Sequence, residues 1–353
     1  MELSHVQTPA LILDLDVFEE NARIMQDYVS GTKMALRPHY KSHKCTAIAH
    51  RQIAAGAKGI CCAKVSEAED LANAGIEDIL IANQVADPAK ITRVATLAAG
   101  CYVTVAVDNA QNIADLETAA AFQQATIHCL VEYEIGMNRC GVQTPEAVYA
   151  LVQEIDRHPH LVFEGIQAYA GNLSHETDEA TRKRESEKVE ERLRELLDFL
   201  KDKGVPVKEV SGVSTGTIGF RPYDTVYTEV QPGSYLFMDA AYNQLHLPFK
   251  NALFVLSKVI STNNRQVVCD AGMKTVSVDQ DPPVLKGYPL AALRMSEEHI
   301  TVSAADCPAA VGDLLFVIPS HCCTTVNLHD HLILYRGNKV VDKVPVTSRG
   351  KSL

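Results

Sequence analysis

The feature of this sequence that most limits its fold is a regular alternation between short apolar runs and stretches with helical spacing. Eight runs rich in β-branched residues occur at residues 33–41, 57–64, 77–83, 101–108, 126–134, 161–169, 207–213 and 226–230. Strands that alternate with helices form parallel βαβ units. Eight such units can close into a (β/α)8 barrel, in which catalytic residues lie at the carboxyl ends of the strands. The pattern therefore predicts an α/β barrel, with an open, doubly wound sheet as the alternative.

Two helices are predicted in more detail. Residues 179–203 place their apolar side chains on one stripe, and Gly204 follows as a natural stop. The stripe consists of Val189, Leu193, Leu196, Leu197 and Leu200. Near the start of the chain, Asp16 is predicted to cap a helix that runs to about Val29.

The alternating pattern ends after about Pro248. Short turns rather than helices join the strand-like runs that follow, which are residues 252–260, 266–270, 314–318 and 331–335. We therefore predict two domains. The first is a (β/α)8 barrel over residues 12–246, and the second is a smaller, mostly antiparallel β domain made of residues 1–11 and 247–353.

Charge and cysteine content limit the partners and the location. The formal net charge of −11 argues against nucleic acid or an anionic membrane as the main partner. No apolar run is long enough to span a bilayer, and the first residues lack the pattern of a signal peptide. Ten cysteines without a CxxC pair are typical of reduced, intracellular thiols. We therefore expect a cytoplasmic protein with a small-molecule substrate.

A basic segment at residues 36–44 follows the first apolar run and contains two histidines and two lysines besides an arginine. In an extended segment, His39, Lys41 and His43 would share one face. Imidazoles beside the amine of Lys41 would favour its neutral, nucleophilic form, so Lys41 is a candidate for a Schiff base. The alternative is a basic, solvated turn between a strand and a helix.

Side chains with useful chemistry lie at or near the ends of several runs. They are Lys41, Lys64, Asn83, Asp108, Glu134 and Tyr169. Because the carboxyl ends of parallel strands meet at one edge of a sheet, we expect these side chains at one mouth of the barrel. Arg139 follows the fifth run and could reach a phenolate oxygen or a substrate carboxylate, although a surface arginine is the alternative.

Two loops have the features of a phosphate site, because they follow the seventh and eighth runs and offer hydroxyls and small residues. The residues concerned are Ser214, Thr215, Gly216 and Thr217 in the first loop and Gly233, Ser234 and Tyr235 in the second. In barrels a phosphate often binds between these two loops. Together with a strand-end lysine, they predict pyridoxal 5′-phosphate as the cofactor. For the first loop, an ordinary turn is the alternative.

Another cluster of reactive side chains lies in residues 319–330. In an extended segment, His321 and Cys323 would share a face and could bind one cation, with water or substrate oxygens as the other ligands. A thiolate ligand favours zinc over magnesium or calcium. The alternative is a packed histidine beside a buried thiol.

Taken together, these motifs resemble the D-threonine aldolase/D-serine dehydratase family, the metal-activated branch of the fold-type III pyridoxal enzymes. The similarity runs from Gln7 to Gly350. Its specific motifs are residues 37–44, 59–69, 139–142 and 167–169, the two phosphate loops, and residues 319–321 with 327–330. The resemblance implies an alanine-racemase-like barrel with a β domain, usually as a homodimer. It also implies that Lys41 forms the Schiff base, that Arg139 lies near the phenolate oxygen and that Tyr169 lies near the ring.

Two positions depart from the aldolase branch of that family. Aldolases typically have aspartate where this chain has Cys323, whereas dehydratases have cysteine there. Aldolases also carry histidine or glutamine where this chain has Ala170. In contrast, residues 233–239 and 327–330 look like the aldolase side.

The expected activity is therefore a lyase reaction on D-3-hydroxy amino acids that requires pyridoxal 5′-phosphate and a divalent metal (Zn, Mn or Mg). The metal at His321 and Cys323 would acidify the β-hydroxyl. His39, His321 or a metal-bound hydroxide would take its proton, and cleavage of the Cα–Cβ bond would give glycine and an aldehyde.

Two other hypotheses are considered, of which the first uses the same parts differently. In a D-serine or D-3-hydroxyaspartate dehydratase, Lys41 would remove the α-proton, and a keto acid and ammonia would be released. A non-catalytic pyridoxal-phosphate carrier is the third hypothesis. The β domain and the pair His321 and Cys323 argue against that carrier, since carriers of this type resemble a barrel alone.

Overall fold

The computed structural model of the chain describes residues 1–221 and 224–353, which divide into two units. The barrel unit consists of Gln26–Lys41, Ile48–Gly233 and Lys351–Leu353. The β unit consists of Met1–Met25, Ser42–Ala47 and Ser234–Gly350. Among the described residues, no helix combines the length and the apolar character that crossing a membrane requires.

Strand β1 (Ala10–Asp14) and helix α1 (Leu15–Val29) open the chain, and the barrel strands follow. These strands are β2 (Ala35–Leu36), β3 (Ile60–Cys62), β4 (Asp78–Ile81), β5 (Tyr102–Val107), β6 (Ile127–Glu132), β7 (Leu161–Ala168), β8 (Glu209–Gly212) and β9 (Glu229–Val230). The helices that alternate with them are α2 (Thr46–Ala54), α3 (Val65–Asn73), α4 (Pro88–Ala98), α5 (Ala110–Gln123), α6 (Pro145–Ile155) and α7 (Glu179–Asp202).

The eight barrel strands close into a ring. Neighbouring strands pair in parallel in the order β2-β9-β8-β7-β6-β5-β4-β3. The two ends of this row meet, because Cys61 N donates to Pro38 O at 2.9 Å and His39 forms a parallel bridge with Cys61. This closure confirms the predicted barrel and excludes the open, doubly wound sheet. It also brings the carboxyl ends of all eight strands to one mouth.

Side-chain caps explain where several helices begin. Asp87, Asn109, Thr144 and Asp178 each accept a hydrogen bond from a backbone N–H three residues further on. The cap predicted for α1 was wrong by two residues. The backbone N–H groups of Asp16 and Val17 donate to Asp14 Oδ1, so the helix begins one residue before Asp16.

Helix α7 confirms the stripe predicted from its sequence. Val189, Leu193, Leu196 and Leu200 are buried and Leu197 is half-buried. Gly204 follows the helix with a φ of +75°, which lies in the left-handed region that a glycine adopts readily. The helix therefore ends where the sequence predicts.

Two glycines are required where β7 and β8 approach each other. A Cβ atom on Gly165 would lie 1.8 Å from Glu209 O, and one on Gly212 would lie 2.0 Å from Ala168 O. Any larger residue would push these backbones apart. The contact at Gly212 matters most for the site, because it holds the start of the loop after β8 against the end of β7.

The β unit is built on a mostly antiparallel sheet, as predicted. Its elements are helix α8 (Ala240–Asn243), strands β10 (Leu253–Thr262), β11 (Gln266–Cys269), β12 (Val284–Leu285), β13 (Arg294–Met295), β14 (Ile300–Ser303) and β15 (Leu314–Ile318), helix α9 (Cys322–Val326), and strands β16 (His331–Arg336) and β17 (Lys339–Pro345). The sheet order is β13-β14-β11-β10-β1-β16-β17, and β15 pairs with β10 and β12. The pair β1 and β16 is parallel, and Ile12, Phe254 and Leu256 belong to the core.

The limits of the two units differ from the predicted domain limits at residues 12–25, 42–47 and 234–246, which were predicted in the barrel domain, and at residues 351–353, which were predicted in the β domain. Strand β1 joins the β unit because it pairs with β10 and β16. The segment at residues 234–246 joins it because Phe237 O accepts a hydrogen bond from Ala252 N, and Ala240 N donates to Pro319 O. These residues were predicted to lie in the barrel domain.

Candidate active site

The strand-end residues singled out from the sequence follow the carboxyl ends of barrel strands. Lys41 lies five residues after β2, Lys64 two after β3, Asn83 two after β4, Asp108 one after β5, Glu134 two after β6 and Tyr169 one after β7. All six therefore belong to the mouth of the barrel at which barrel enzymes carry out chemistry.

The backbone around Lys41 is not extended. Tyr40–Ser42 form a 3₁₀ turn, in which successive side chains point about 120° apart. The prediction that His39, Lys41 and His43 share one face was therefore wrong. The backbone N–H of His39 donates to Pro232 O at 3.0 Å. The ring atom Nδ1 of His39 accepts a hydrogen bond from the backbone N of Lys41 at 3.3 Å. His43 is fully buried, with Nδ1 3.1 Å from Cys45 O, and is a packed histidine.

Three predicted site residues meet around one aromatic ring. The ring centroid of Tyr169 lies 5.7 Å from Lys41 Nζ and 5.9 Å from Arg139 Cζ. Both distances fall within the range of a cation–π contact. The Tyr169 hydroxyl lies 3.3 Å from Ser174 Oγ. The structure thus brings a primary amine, a guanidinium and a flat aromatic surface to the same place.

The loop that carries Arg139 is fixed against β6. Val142 N donates to Glu132 O at 2.9 Å, and Gly141 N donates to Asp108 Oδ2 at 3.1 Å. The nearest carboxylate to Arg139 is Glu132, at 3.9 Å between Nη2 and Oε1. Burial raises the pKa of Glu132, although a hydrogen bond from Gln84 and the charge of Arg139 oppose this shift. Arg139 is half exposed and available to a ligand.

The loop at residues 213–217 (the 213–217 loop) follows β8 and contains three hydroxyl-bearing residues and a glycine. Val213 adopts a φ of +65°, a left-handed conformation that is uncommon for a β-branched residue. Ser214 N donates to Thr217 Oγ1 at 3.1 Å, and Ile218 N donates to Ser214 O at 3.1 Å. The loop is buried, so its hydroxyls lie close together in the protein interior.

The second predicted phosphate loop is divided between the two units. Gly233 is the last residue of its barrel-unit segment, whereas Ser234 and Tyr235 begin the β-unit segment in a buried 3₁₀ turn. Tyr235 packs against Phe249 with ring centroids 6.0 Å apart. The shared role of these residues in phosphate binding stays a prediction.

A polar network inside the barrel was missed by the sequence reasoning. Gln231 Nε2 donates to Gln167 Oε1 at 2.9 Å and to Ser211 Oγ at 2.7 Å. Ser211 Oγ in turn donates to Glu229 Oε1 at 2.6 Å. Glu229 is buried, yet its pKa is lowered, because the charges of Arg37 and Lys58 and the hydrogen bond from Ser211 outweigh desolvation. The presence of polar residues within otherwise apolar runs is the sequence signal that could have predicted this network.

In the β unit, His321 and Cys323 lie at the start of α9. The predicted extended segment was wrong, because Cys322–Val326 are helical and His321 is the residue before them. His321 Nδ1 is 3.0 Å from Asp279 Oδ2. Burial opposes protonation of His321, but hydrogen bonds with Cys323 and Asp279 raise its pKa to about 9. Across residues 1–221 and 224–353, no group of three or more His, Cys, Asp or Glu forms a ready metal site.

A closed parallel barrel, a β unit, and a lysine, an arginine and a hydroxyl-rich loop at the carboxyl mouth define the alanine-racemase-like class. A family model described as alanine racemase, N-terminal domain, matches residues 13–241, and one described as a putative serine dehydratase domain matches residues 252–335.

Comparison with individual proteins narrows the class to a family. The chain is 40% identical over 364 residues to the 3-hydroxy-D-aspartate aldolase of Paracoccus denitrificans (strain Pd 1222), covering 99% of this chain and 94% of that protein. It is 39% identical over 358 residues to the D-threonine aldolase of an Arthrobacter species, with the same coverage. The crystal structure of D-threonine aldolase from Filomicrobium marinum superposes with a TM-score of 0.97 at 40% identity, over 100% of this chain and 98% of that one. The chain belongs to the D-threonine aldolase/D-serine dehydratase family, which confirms the resemblance seen in its motifs.

Proposed function

We propose that this protein is a pyridoxal-phosphate-dependent carbon–carbon lyase that cleaves D-3-hydroxy amino acids to glycine and an aldehyde. The observation that carries the proposal is the match over 99% of the chain to two proteins named as aldolases of this substrate class. The arrangement of Lys41, Arg139 and Tyr169 at the carboxyl mouth supports it.

The residues at the mouth fit pyridoxal 5′-phosphate by the chemistry of their donors. Lys41 would hold the cofactor aldehyde covalently, and Tyr169 would provide a flat face beside the ring. Ser214, Thr215, Gly216 and Thr217 would bind the phosphate through hydroxyl and backbone N–H groups. When bound, the cofactor supplies an electron sink for the negative charge that develops at Cα.

Arg139 would orient the substrate or the cofactor oxygen. Its loop is rigidly attached to β6, and its guanidinium is partly exposed above Tyr169. A planar guanidinium can donate two parallel hydrogen bonds to a carboxylate. Such a contact would fix the α-carbon relative to Lys41 and so align the bond that breaks.

The β unit would hold the divalent metal at His321 and Cys323. An imidazole nitrogen and a thiolate are ligands suited to zinc, and two protein ligands leave positions for water or a substrate oxygen. The contact between His321 Nδ1 and Asp279 would orient the ring and leave Nε2 for the metal. A bound metal supplies Lewis-acid polarisation of a hydroxyl group. His39 is proposed to accept the hydroxyl proton, because His321 would already use Nδ1 for Asp279 and Nε2 for the metal.

A dehydratase that releases a keto acid and ammonia is the second candidate. One specific observation favours it, namely a cysteine at position 323 where aldolases of this family typically carry aspartate. The full-length relatives reported above favour the aldolase.

A product assay separates the two candidates. The purified protein is offered D-threonine, D-serine and D-3-hydroxyaspartate, with and without a chelator, and glycine, aldehyde and ammonia are measured. The aldolase proposal requires glycine and aldehyde in equal amounts, with the rate lost on chelation and restored by Zn²⁺, Mn²⁺ or Mg²⁺. Ammonia without glycine would establish the dehydratase instead, and an unchanged rate with chelator would remove the metal from the mechanism.

We further propose that the protein acts in the cytoplasm as a homodimer. All ten cysteines are free thiols, which suits a reducing compartment. The homodimer follows from the family resemblance, and size-exclusion chromatography with light scattering tests it.

A further inference from the structure

Helix α7 carries buried charges that the proposed chemistry does not use. Fifteen of its 24 residues are charged, as expected for a solvated helix, and most of these side chains point to water. Arg182 and Glu190 are exceptions and are almost fully buried. Because an isolated buried charge costs several kcal/mol, each of these groups requires a partner and a reason to be inside.

Glu190 meets its partners on the segment that follows the 213–217 loop. Its Oε1 accepts a hydrogen bond from Arg221 Nη1 at 2.9 Å and another from the Thr225 hydroxyl. Its Oε2 accepts from Val226 N at 3.1 Å. The side chains of Glu190 and Arg221 are 6% and 3% exposed, so this is a buried ion pair with two further hydrogen bonds. Arg182 contacts the same segment, with Cζ 5.3 Å from the Phe220 ring centroid.

Backbone hydrogen bonds connect Arg221 to the 213–217 loop. Arg221 N donates to Ile218 O at 3.2 Å, and Ile218 N donates to Ser214 O at 3.1 Å. Arg221 also lines a small void together with Val213 and Thr217, and its Nε has no hydrogen-bond partner among the described residues. A buried, partly unsatisfied guanidinium therefore lies directly behind the hydroxyl-rich loop, which is a favourable place for a cation if the loop binds a dianion.

The same contacts reach the end of β7. The guanidinium of Arg221 lies 5.6 Å from the ring centroid of Tyr227, and the Tyr227 hydroxyl donates to Ala168 O at 3.1 Å. Ala168 immediately precedes Tyr169. One buried carboxylate on α7 thus fixes the root of the 213–217 loop and, through Tyr227, the strand end that carries Tyr169.

We propose that Glu190 is a positioning residue that holds Arg221 and the 213–217 loop in the conformation that binds the cofactor phosphate. This inference rests on the proposed function, because it requires that the loop binds that phosphate. A loop that is ordered before binding loses less conformational entropy on binding, so removal of its brace weakens the affinity. Glu190 would act through its contacts with Arg221, Thr225 and Val226 and not through a contact with the cofactor.

The test measures phosphate affinity in Glu190→Ala, Glu190→Gln and Thr225→Val, with Glu191→Gln as the matched control. Glu191 is exposed and neighbours Glu190 on the same helix. The dissociation constant of pyridoxal 5′-phosphate is measured by titration of the full chain after cofactor removal, and that of inorganic phosphate by competition. The ³¹P NMR signal of the bound cofactor reports the phosphate environment directly.

Glu190→Ala should raise the dissociation constant of pyridoxal 5′-phosphate about tenfold, which corresponds to 1.4 kcal/mol. The ³¹P signal should shift, and kcat at saturating cofactor should stay close to that of the wild type. Glu190→Gln retains an acceptor oxygen and should recover part of the affinity. Glu191→Gln should behave as the wild type. Thr225→Val removes one of the three hydrogen bonds and should show a smaller loss of affinity, even if Glu190→Ala does not fold.

The inference is overturned if Glu190→Ala and Thr225→Val bind the cofactor and inorganic phosphate as tightly as the wild type, or if Glu191→Gln loses affinity equally. A fall in kcat at saturating cofactor without a change in affinity would also overturn it. The proposed function fails in a different way, since the wild-type protein would then bind no pyridoxal 5′-phosphate, or would bind it at an amine other than Lys41.

Discussion

Both mouths of the barrel carry lysine and arginine side chains, but these cations have different surroundings at the two mouths. At the amino mouth, a cavity of about 870 Å³ is lined by three cations, and each is paired with a carboxylate. Arg37 lies between Asp78 and Glu229, Lys58 pairs with Glu209, and Lys208 pairs with Glu164. At the carboxyl mouth, the cationic groups of Lys41 and Arg139 lie 5.7 and 5.9 Å from the ring centroid of Tyr169, and Arg139 is 3.9 Å from the carboxylate of Glu132.

This difference separates charges that stabilise the fold from charges suited to a ligand. Arg37 and Glu229 are 4% and 3% exposed and lie 2.8 Å apart, so each charge depends on the other. Arg139 is 47% exposed, and its nearest carboxylate is 3.9 Å away. A guanidinium in the second arrangement can exchange its weak contact for a ligand carboxylate or phenolate at little cost. The cavity at the amino mouth is larger than many ligand sites, but its cations are already neutralised.

The largest expected effect is at Lys41. Lys41→Ala should lower kcat/KM by at least about a thousandfold, since loss of a covalent catalytic group has effects of this size or larger. The free energy of unfolding of the cofactor-free protein should change little. Borohydride reduction followed by peptide mapping checks the assignment, with Lys64→Ala at the same mouth as the control. A pyridoxyl label on any residue other than Lys41 would contradict the proposed role of this mouth.

The position of the candidate site at the carboxyl mouth could be predicted from the sequence, because it follows from the regular alternation of strands and helices. The alternation of strands and helices places Lys41 and Tyr169 near strand ends and Arg139 in the loop after β6, and parallel closure then brings those ends together. The local backbone conformation of short segments was harder to predict from the sequence. A stretch such as Tyr40–Ser42 or Cys322–Val326 has no repeating pattern that distinguishes a helical turn from an extended segment. The predicted cap of α1, Asp16, and the observed cap, Asp14, differ by two residues because aspartate is an equally good capping residue at either position.

Long-range polar contacts were not predictable for a different reason. Arg37 lies in the same motif as Lys41. Its own partners, Asp78 and Glu229, are 41 and 192 residues away in the sequence. Glu190 was hidden in a helix whose many charges predict a solvated surface. Such pairs depend on strand register and helix placement, which a single sequence does not specify.

The second expected effect tests whether the amino mouth serves stability. Arg37→Met should lower the free energy of unfolding by about 3–5 kcal/mol, because it leaves Glu229 buried with less compensation. Urea unfolding measures this change. Lys208→Met is the control, since the Lys208 side chain is 71% exposed, and it should cost less than about 1 kcal/mol. If Arg37→Met were as stable as the wild type but lost cofactor affinity, the division between the two mouths would not hold.

A smaller effect is expected at Arg139. Arg139→Met keeps an unbranched apolar stem but removes the guanidinium and its charge, and should lower kcat/KM about tenfold to a hundredfold through the loss of one charged hydrogen-bond partner. The free energy of unfolding should change by less than about 0.5 kcal/mol, as for other partly exposed positions. Arg157→Met, which removes an exposed arginine two residues after the end of α6, should leave kcat/KM unchanged. Equal losses in both variants would point to a general charge effect instead of a specific contact.

The smallest expected effect is the contribution of Glu164, at the amino mouth, to the free energy of unfolding and its dependence on pH. Burial raises the pKa of Glu164, but hydrogen bonds from Lys208, Tyr102 and His128 outweigh it, and the net pKa is lowered. A carboxyl group whose pKa is lower in the folded state stabilises the protein above its unfolded pKa of about 4.3. This stabilisation is lost as the pH falls through the folded pKa.

Glu164→Gln should therefore reduce the free energy of unfolding by about 1 kcal/mol at pH 7, since one of its partners is largely exposed. The difference between this variant and the wild type should shrink as the pH falls below the unfolded pKa of about 4.3 and through the lower folded pKa, because the wild-type carboxyl group then becomes protonated too. Urea unfolding at a series of pH values measures it, and Glu195→Gln on the exposed face of α7 is the control. A difference that stays constant from pH 7 to pH 3 would mean that Glu164 contributes by packing alone, and that the charge pairs of the amino mouth are less important for stability than their geometry indicates.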